Sequence, residues 1–231
     1  MTSSIVPAVR GLADRAGDII VAGVDKGVET RWIPAKERAA RAVGTTHKAK
    51  LLDVRKAFAS ELGLIGAAAG GAAALPGVGT AASLTLAAAD LGWTTMRLAD
   101  LVLTVAALHG HEEADIDERR MWVLAVLAGG STSTKVATKL AKEVGKGLGG
   151  KATRAIPAAT LSSINKVLGR TIITKYGTKR GAIAIGRLLP FGIGAAIGGS
   201  LNFATVRAVT RGADKFFSLL SGDASEAGRP E

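Results

Sequence analysis

Apolar residues recur at helical spacing along most of the chain, and the alternating apolar and polar runs typical of strands are missing. Ala, Leu, Lys and Arg dominate the periodic segments. The first 60 residues are predicted to form two or three amphipathic helices, interrupted near Pro34 and within the segment GTTHKAK. The expected fold class is all-α, a multi-helix bundle.

One long segment, Leu62–Ala89, has no charged side chain. Pro76 and Gly77 interrupt it midway, because proline lacks a backbone donor and clashes with the preceding helical turn. Each arm has about 13 residues and is about 20 Å long, too short to cross the roughly 30 Å hydrocarbon core of a bilayer. We therefore expect a Gly/Ala-rich helical hairpin. Its predicted lipid-contact residues are Leu75, Pro76, Gly77 and Val78.

A second segment without charge, Leu188–Val206, lies between Arg187 and Arg207. It is predicted to be a Gly-rich apolar helix, in which Gly194 and Gly198 would let another helix approach closely. Its length is marginal for a transmembrane helix, so a spanning helix, a re-entrant segment and a buried core helix all remain open. The predicted lipid-contact residues here are Leu189, Pro190, Phe191 and Ile193.

Capping signals set the expected limits of the central helices. The second arm of the hairpin should continue as a helix and stop at Gly110. An acidic loop follows, and Asp117 is the expected N-cap of the next helix. Gly129 and Gly130 would end that helix.

Three charged residues, Asp90, Arg97 and Asp100, interrupt the otherwise apolar helix that continues the second arm of the hairpin. Their spacings place them on a similar face, where Arg97 can meet Asp100 one turn away and Asp90 two turns away. We expect a structural ladder of ion pairs. The alternative is a polar track in a lipid-facing bundle, since charges in apolar surroundings must be paired.

Basic residues are concentrated in the C-terminal part of the chain. The net charge is +11, and residues 135–231 carry 16 Lys and Arg against 5 Asp and Glu. Such a surface attracts an anionic bilayer or nucleic acid, although the Lys spacing in 135–146 also suits an ordinary solvated helix face. Few aromatic residues and no recognisable helix-turn-helix make nucleic acid the less favoured partner. The expected basic surface comprises Lys135, Lys139, Lys142, Lys146, Lys179, Arg180 and Arg187.

No catalytic, metal-binding or cofactor-binding residue is nominated from the sequence. The segment GKGLGGKA matches the first seven positions of a P-loop, but Ala152 replaces the Ser or Thr that would hold magnesium. His109, His111 and nearby carboxylates could share a metal ion, although a solvated acidic loop explains the same residues. His47 has no recognisable partner. Cysteine is absent, which excludes thiol catalysis, and the sequence contains no G-x-S-x-G or H-E-x-x-H motif. We therefore do not expect an enzyme.

The expected organisation is a set of amphipathic N-terminal helices in residues 1–60, a helical domain in 61–217 and a disordered tail in 218–231. The first residues lack a charged segment followed by an apolar one, the pattern of a secretory signal. We therefore expect a cytoplasmic protein.

Three segments in order carry a family resemblance: LPGVGTAASLTLAAADLGWTTMRLADLVLTVAALHG, DERRMWVLAVLAGG and LLPFGIGAAIGGSLNFATVRAVTRGADKFF. Together they resemble the EcsC family of bacterial proteins, in which a proline–glycine turn, a helix ending in glycine, an acidic loop and a Gly-Gly stretch with Asn and an aromatic residue recur. Here these are Pro76–Gly77, Gly110, Glu112–Glu118 and Gly198–Phe203. The resemblance covers residues 60–217 and implies an EcsC-like helical domain. The segment HGH at 109–111 departs from the tyrosine-containing loop expected there.

The leading functional hypothesis is a non-enzymatic, membrane-associated helical protein, peripheral or re-entrant at the inner face of the cell membrane. It would bind an anionic membrane surface, lipid or a membrane-protein partner through the Gly-rich apolar segments and neighbouring Lys and Arg. One alternative is a soluble lipid carrier or enzyme with an apolar cavity between helices. Another is a soluble protein-interaction adaptor. The oligomeric state does not follow from the sequence.

Overall fold

The computed structural model describes residues 5–72, 80–111, 113–146, 162, 164–170 and 193–221. The helices are α1 (Ile5–Thr30), α2 (Trp32–Arg41), α3 (His47–Ala72), α4 (Thr80–Leu108), α5 (Ile116–Ala128), α6 (Gly130–Lys146), α7 (residues 164–170) and α8 (Ile193–Ser221). No strand occurs in this described part of the chain. The prediction of an all-α multi-helix bundle is confirmed.

Local capping sets the ends of α4 and α5. Gly110, just after α4, has φ +79°, and Gly129 caps α5 with φ +66°, conformations that glycine adopts without strain. The prediction of Asp117 as the N-cap of α5 is wrong. Asp115 is the N-cap, and its side chain accepts a hydrogen bond from the Glu118 backbone N–H at 2.7 Å. Asp117 already lies within the first turn, where a carboxylate favours the helix dipole.

The segment limits expected at residues 60/61 and 217/218 both fall within helices. Helix α3 runs unbroken across the first limit, and α1, α2 and α3 contribute to the same hydrophobic core as the later helices. Helix α8 continues to Ser221, and Leu220 in its last turn is buried in that core. Residues 218–221 are therefore helical, because Leu219 and Leu220 pack against the core.

Helix α4 is the centre of the bundle. It contacts α1, α2, α3, α5 and α8, and its residues 97–106 are all buried. Glycines let α1 lie directly against it: a Cβ on Gly23 would stand 2.7 Å from the Gly92 carbonyl oxygen, and one on Gly27 would stand 2.6 Å from the Ala99 Cβ. The backbones of α1 and α4 are thus close to contact at two successive turns.

Helices α3, α4 and α8 pack together, with α3 antiparallel to the other two. The first residue of α3, His47, lies against His109 at the end of α4 and Asp214 in the C-terminal half of α8. Further along α3, Gly63 lies against the ring of Phe203 in the N-terminal half of α8. The C-terminal end of α3 therefore lies beside the N-terminal halves of α4 and α8.

A buried ion network joins α2, α3 and α4. The Asp100 side chain is 0% exposed. Its carboxylate contacts the guanidinium group of Arg97, one turn earlier in α4, and lies 2.7 Å from the guanidinium group of Arg38 in α2. Arg97 also contacts Glu61 of α3 at 2.5 Å. Both guanidinium groups lie over the Phe58 ring, at 4.7 and 5.1 Å from its centroid. Contacts of this kind fix the positions of three helices relative to one another.

This network corresponds in part to the ladder expected from the sequence. Arg97 pairs with Asp100, as their spacing indicates, and its second carboxylate comes from Glu61 of another helix. Asp90, which was expected as that second partner, lies half-buried nearer the start of α4. Burial raises the pKa of the Asp100 carboxyl, and the guanidinium groups of Arg38 and Arg97 oppose that shift.

The close approach of α1 to α4 predicts the effect of Gly23→Ala. The added methyl would collide with a backbone carbonyl, which cannot turn aside, so the free energy of unfolding should fall by about 1–3 kcal/mol. Gly212→Ala is the matched control, because its Cβ would meet only Val126 Cγ1 at 3.7 Å and alanine favours helix. Urea denaturation distinguishes the two, and equal stability of both variants would contradict the close packing.

The ion network predicts that Asp100→Asn lowers the free energy of unfolding by about 3–5 kcal/mol, because Arg97 and Arg38 lose their shared counter-charge. The control is Glu37→Gln, which removes the exposed pair of Glu37 and Arg41 and should cost less than about 0.5 kcal/mol. Chemical denaturation followed by circular dichroism measures both. A loss for Asp100→Asn no larger than that of the control would show that the network does not hold the fold.

Candidate functional site

Most of the predicted lipid-contact residues fall where the structure gives no description. Leu75, Pro76, Gly77, Val78, Leu189, Pro190 and Phe191 lie outside the described residues. Ile193 is the first residue of α8. These positions stay predictions, and the candidate site is built from the helix segments that adjoin them.

Part of the predicted basic surface lies on α6. Lys135 and Lys139 are exposed, whereas Val136 packs against the core and Ala137 is fully buried in it. The helix packs against α8 with its apolar side inward. The other predicted basic residues are Lys142 and Lys146, near the end of α6, and Lys179, Arg180 and Arg187, which lie outside the described residues.

The packing of α3, α4 and α8 gathers three uncharged helix segments at one end of the bundle. They are residues 62–72 of α3, 80–89 of α4 and 193–206 of α8. Each segment is bordered by a charged residue: Glu61 precedes the segment in α3, Asp90 follows the segment in α4, and Arg207 follows the segment in α8. Because α3 is antiparallel to α4 and α8, these three charges lie on the same side of the uncharged segments. We call the three segments the apolar end.

Large apolar side chains are exposed where the apolar end begins. The exposed fraction is 72% for Leu64 of α3 and 51% for Phe203 of α8. Burying either side chain in an apolar environment would gain about 1.5–3 kcal/mol. Leu52 on the other half of α3 is 39% exposed, so exposure alone does not distinguish the apolar end. What distinguishes Leu64 and Phe203 is that each belongs to an uncharged helix segment, 62–72 or 193–206.

One described helix is long and apolar enough to cross a membrane. The stretch Ala88–Leu108 of α4 has a mean hydropathy of 1.3, and 67% of it is buried inside the protein. It also contains Arg97 and Asp100, whose partners lie on α2 and α3. The interior of the bundle therefore accounts for its hydropathy. The candidate lipid-contact region is the apolar end, not α4 as a whole.

A polar cluster lies at the opposite end of the same three helices. The Nε2 atoms of His47 and His109 lie 2.9 and 3.0 Å from the same Oδ1 atom of Asp214. The two imidazole rings meet edge to face, with centroids 4.4 Å apart. The hydrogen bond from His109, aided by that from His47, holds the pKa of the Asp214 carboxyl below its ordinary value against the effect of burial.

An aromatic layer lies beneath this cluster. The His109 ring is 5.9 Å from that of Phe217, and His111 packs against both Trp122 and Phe217, at 5.2 and 5.3 Å. Burial lowers the pKa of His111, and the nearby His109 lowers it further. The sequence suggests that His109 and His111 could share a metal ion. In the structure both lie near Phe217, but His109 contacts Asp214 whereas His111 packs against Trp122.

The sequence does not indicate Asp214 as a site residue and offers no recognisable partner for His47. They are 167 residues apart, so no local spacing relates them. One signal was present: Asp214 is the single acidic residue of α8, a helix that is otherwise apolar, small or basic. A lone carboxylate in such a helix indicates a partner elsewhere in the fold.

Comparison of the chain with protein-family models, curated proteins and solved structures found no match. Membership of the EcsC family therefore stays a prediction that rests on the motifs of residues 60–217.

Proposed function

We propose that this protein is a non-enzymatic, membrane-associated protein that inserts its apolar end into one leaflet of an anionic bilayer at the cytoplasmic face. The supporting observation is that three uncharged helix segments lie together at one end of the bundle. A helix without charge on any face is typical of the centre of a large protein or of a membrane. Among the described residues these segments lie at an end of the bundle and not at its centre, and lipid is an environment that suits them.

The described parts of the two hairpin arms have a length that suits one leaflet. At a rise of 1.5 Å per residue, segments 62–72 and 80–89 are each about 15 Å long, half of the roughly 30 Å hydrocarbon core. Helices also satisfy their own backbone hydrogen bonds, as lipid requires. The hairpin would therefore be re-entrant and would not span the membrane.

Charges are placed so that insertion needs no unpaired ion in lipid. Glu61, Asp90 and Arg207 mark the level at which charged residues begin. Just beyond it, Arg97 and Asp100 are paired inside the bundle. Because a charge in hydrocarbon is costly, this level is the natural depth limit of insertion.

Exposed lysines supply attraction to anionic lipid. Lys135 and Lys139 project from α6, which packs against α8. Each Lys or Arg near an anionic surface contributes about 1 kcal/mol, and the attraction weakens as salt screens it. Binding would thus combine an apolar contribution from the apolar end with a salt-sensitive contribution from the basic C-terminal part.

Vesicle flotation with Leu64→Glu tests the proposal. The wild-type protein should float with vesicles that contain phosphatidylglycerol and bind neutral phosphatidylcholine vesicles more weakly. Leu64→Glu should lower the partition coefficient at least about tenfold, because it removes a leucine that would be buried in lipid and adds a charge there. The matched control is Leu52→Glu, the same change in the same helix away from the apolar end, and it should float like the wild type.

Two results would contradict this function. One is equal flotation of the Leu64→Glu and Leu52→Glu variants. The other is a soluble, monomeric wild-type protein that fails to float with anionic vesicles at moderate salt. Lipid that co-purifies with protein that never floats would instead favour the soluble carrier.

A further inference from the structure

We infer that His47, His109 and Asp214 form a binding site for one divalent transition-metal ion of the Zn²⁺ type, with two imidazole nitrogens and one carboxylate oxygen as its ligands. The residues come from three helices: the first residue of α3, the turn after α4 and the C-terminal half of α8. Nothing in the proposed membrane function requires such a cluster.

The three candidate ligand atoms already converge. His47, His109 and Asp214 each have a ligand atom that lies within 4.8 Å of those of the other two residues. Ligands bonded at about 2.1 Å to a tetrahedral ion are about 3.4 Å apart. The N···O separations of 2.9 and 3.0 Å therefore need to widen only slightly to admit an ion.

The donor set selects the class of metal ion. Imidazole suits Zn²⁺, Co²⁺, Ni²⁺ and Cu²⁺, whereas Ca²⁺ and Mg²⁺ prefer sites made of oxygen ligands. Cysteine is absent from the chain, so no thiolate competes for the ion. Two histidines and one carboxylate leave at least one coordination position for water or another ligand, as in open zinc sites.

The three candidate ligands differ in solvent exposure, as is suitable for a metal site that is open to solvent. The His109 side chain is 9% exposed and rests on Phe217, whereas His47 and Asp214 are 41% and 36% exposed. One ligand is thus held rigidly by packing, and the other two face solvent, where an ion can enter. The ordered helices that carry the ligands limit the reorganisation that binding requires.

An ion held here would clamp the start of α3 to the end of α4 and to α8. Ligand binding to the folded state alone stabilises it by mass action. The cluster lies at the opposite end of these helices from the apolar end, so metal binding and lipid binding can be tested separately.

Titration of untagged, EDTA-treated protein with ZnCl₂ in a calorimeter tests the site, and Co²⁺ absorption reports its ligand field. We expect one ion per chain. His47→Ala and Asp214→Asn should each weaken binding at least about 100-fold, since even loss of an outer-shell partner costs about 10–100-fold. His111→Phe removes the remaining histidine while keeping an aromatic ring, and it should bind Zn²⁺ like the wild type.

Circular dichroism verifies that each variant is folded. If Asp214→Asn is unfolded, His47→Ala still tests the metal site, because the His47 side chain is exposed and its loss should leave the protein folded. The site is overturned by the absence of saturable binding of one ion per chain. It is equally overturned by wild-type affinity in His47→Ala, or by loss of binding in folded His111→Phe.

Discussion

Asp100 is completely buried in the central helix, and its negative charge is balanced by Arg97 on the same helix and by Arg38 on α2. A buried ion pair adds little stability relative to an apolar core, but losing one partner leaves an uncompensated charge. The residues must therefore stay together whenever the protein is folded. Because Arg97 also binds Glu61, the same constraint holds α3 in place.

The register of α3 decides what lies at each end of the bundle. With Glu61 held beside Arg97, the uncharged part of α3 extends past the network on one side, next to the uncharged parts of α4 and α8. On the other side, His47 meets His109 and Asp214. One set of buried charges thus separates an apolar end that suits lipid from a polar cluster that suits a metal ion.

Local sequence signals predicted the helical class, the stops at Gly110 and Gly129 and the pairing of Arg97 with Asp100, because each depends on neighbours within about one turn. Partners that are distant in sequence could not be found in this way. Arg38 is 62 residues from Asp100, and His47 is 167 residues from Asp214.

The error at the α5 N-cap has a different origin. Asp115 and Asp117 are both acceptable capping residues in one loop, and backbone dihedrals, which residue type does not reveal, decide between them. The limit expected at residue 60 falls inside α3 for a related reason. A fall in charge along α3 marks a change of surroundings, and the helix itself continues through it.

Hydrogen exchange measured with and without anionic vesicles tests most directly whether the apolar end enters lipid while the polar end stays in water. We expect vesicles to slow exchange in residues 62–72, 80–89 and 193–206 and to leave 47–58 and 207–217 unchanged. Slowing that is uniform along α3 and α8, or confined to the half that carries His47 and Asp214, would contradict the orientation set by the ion network.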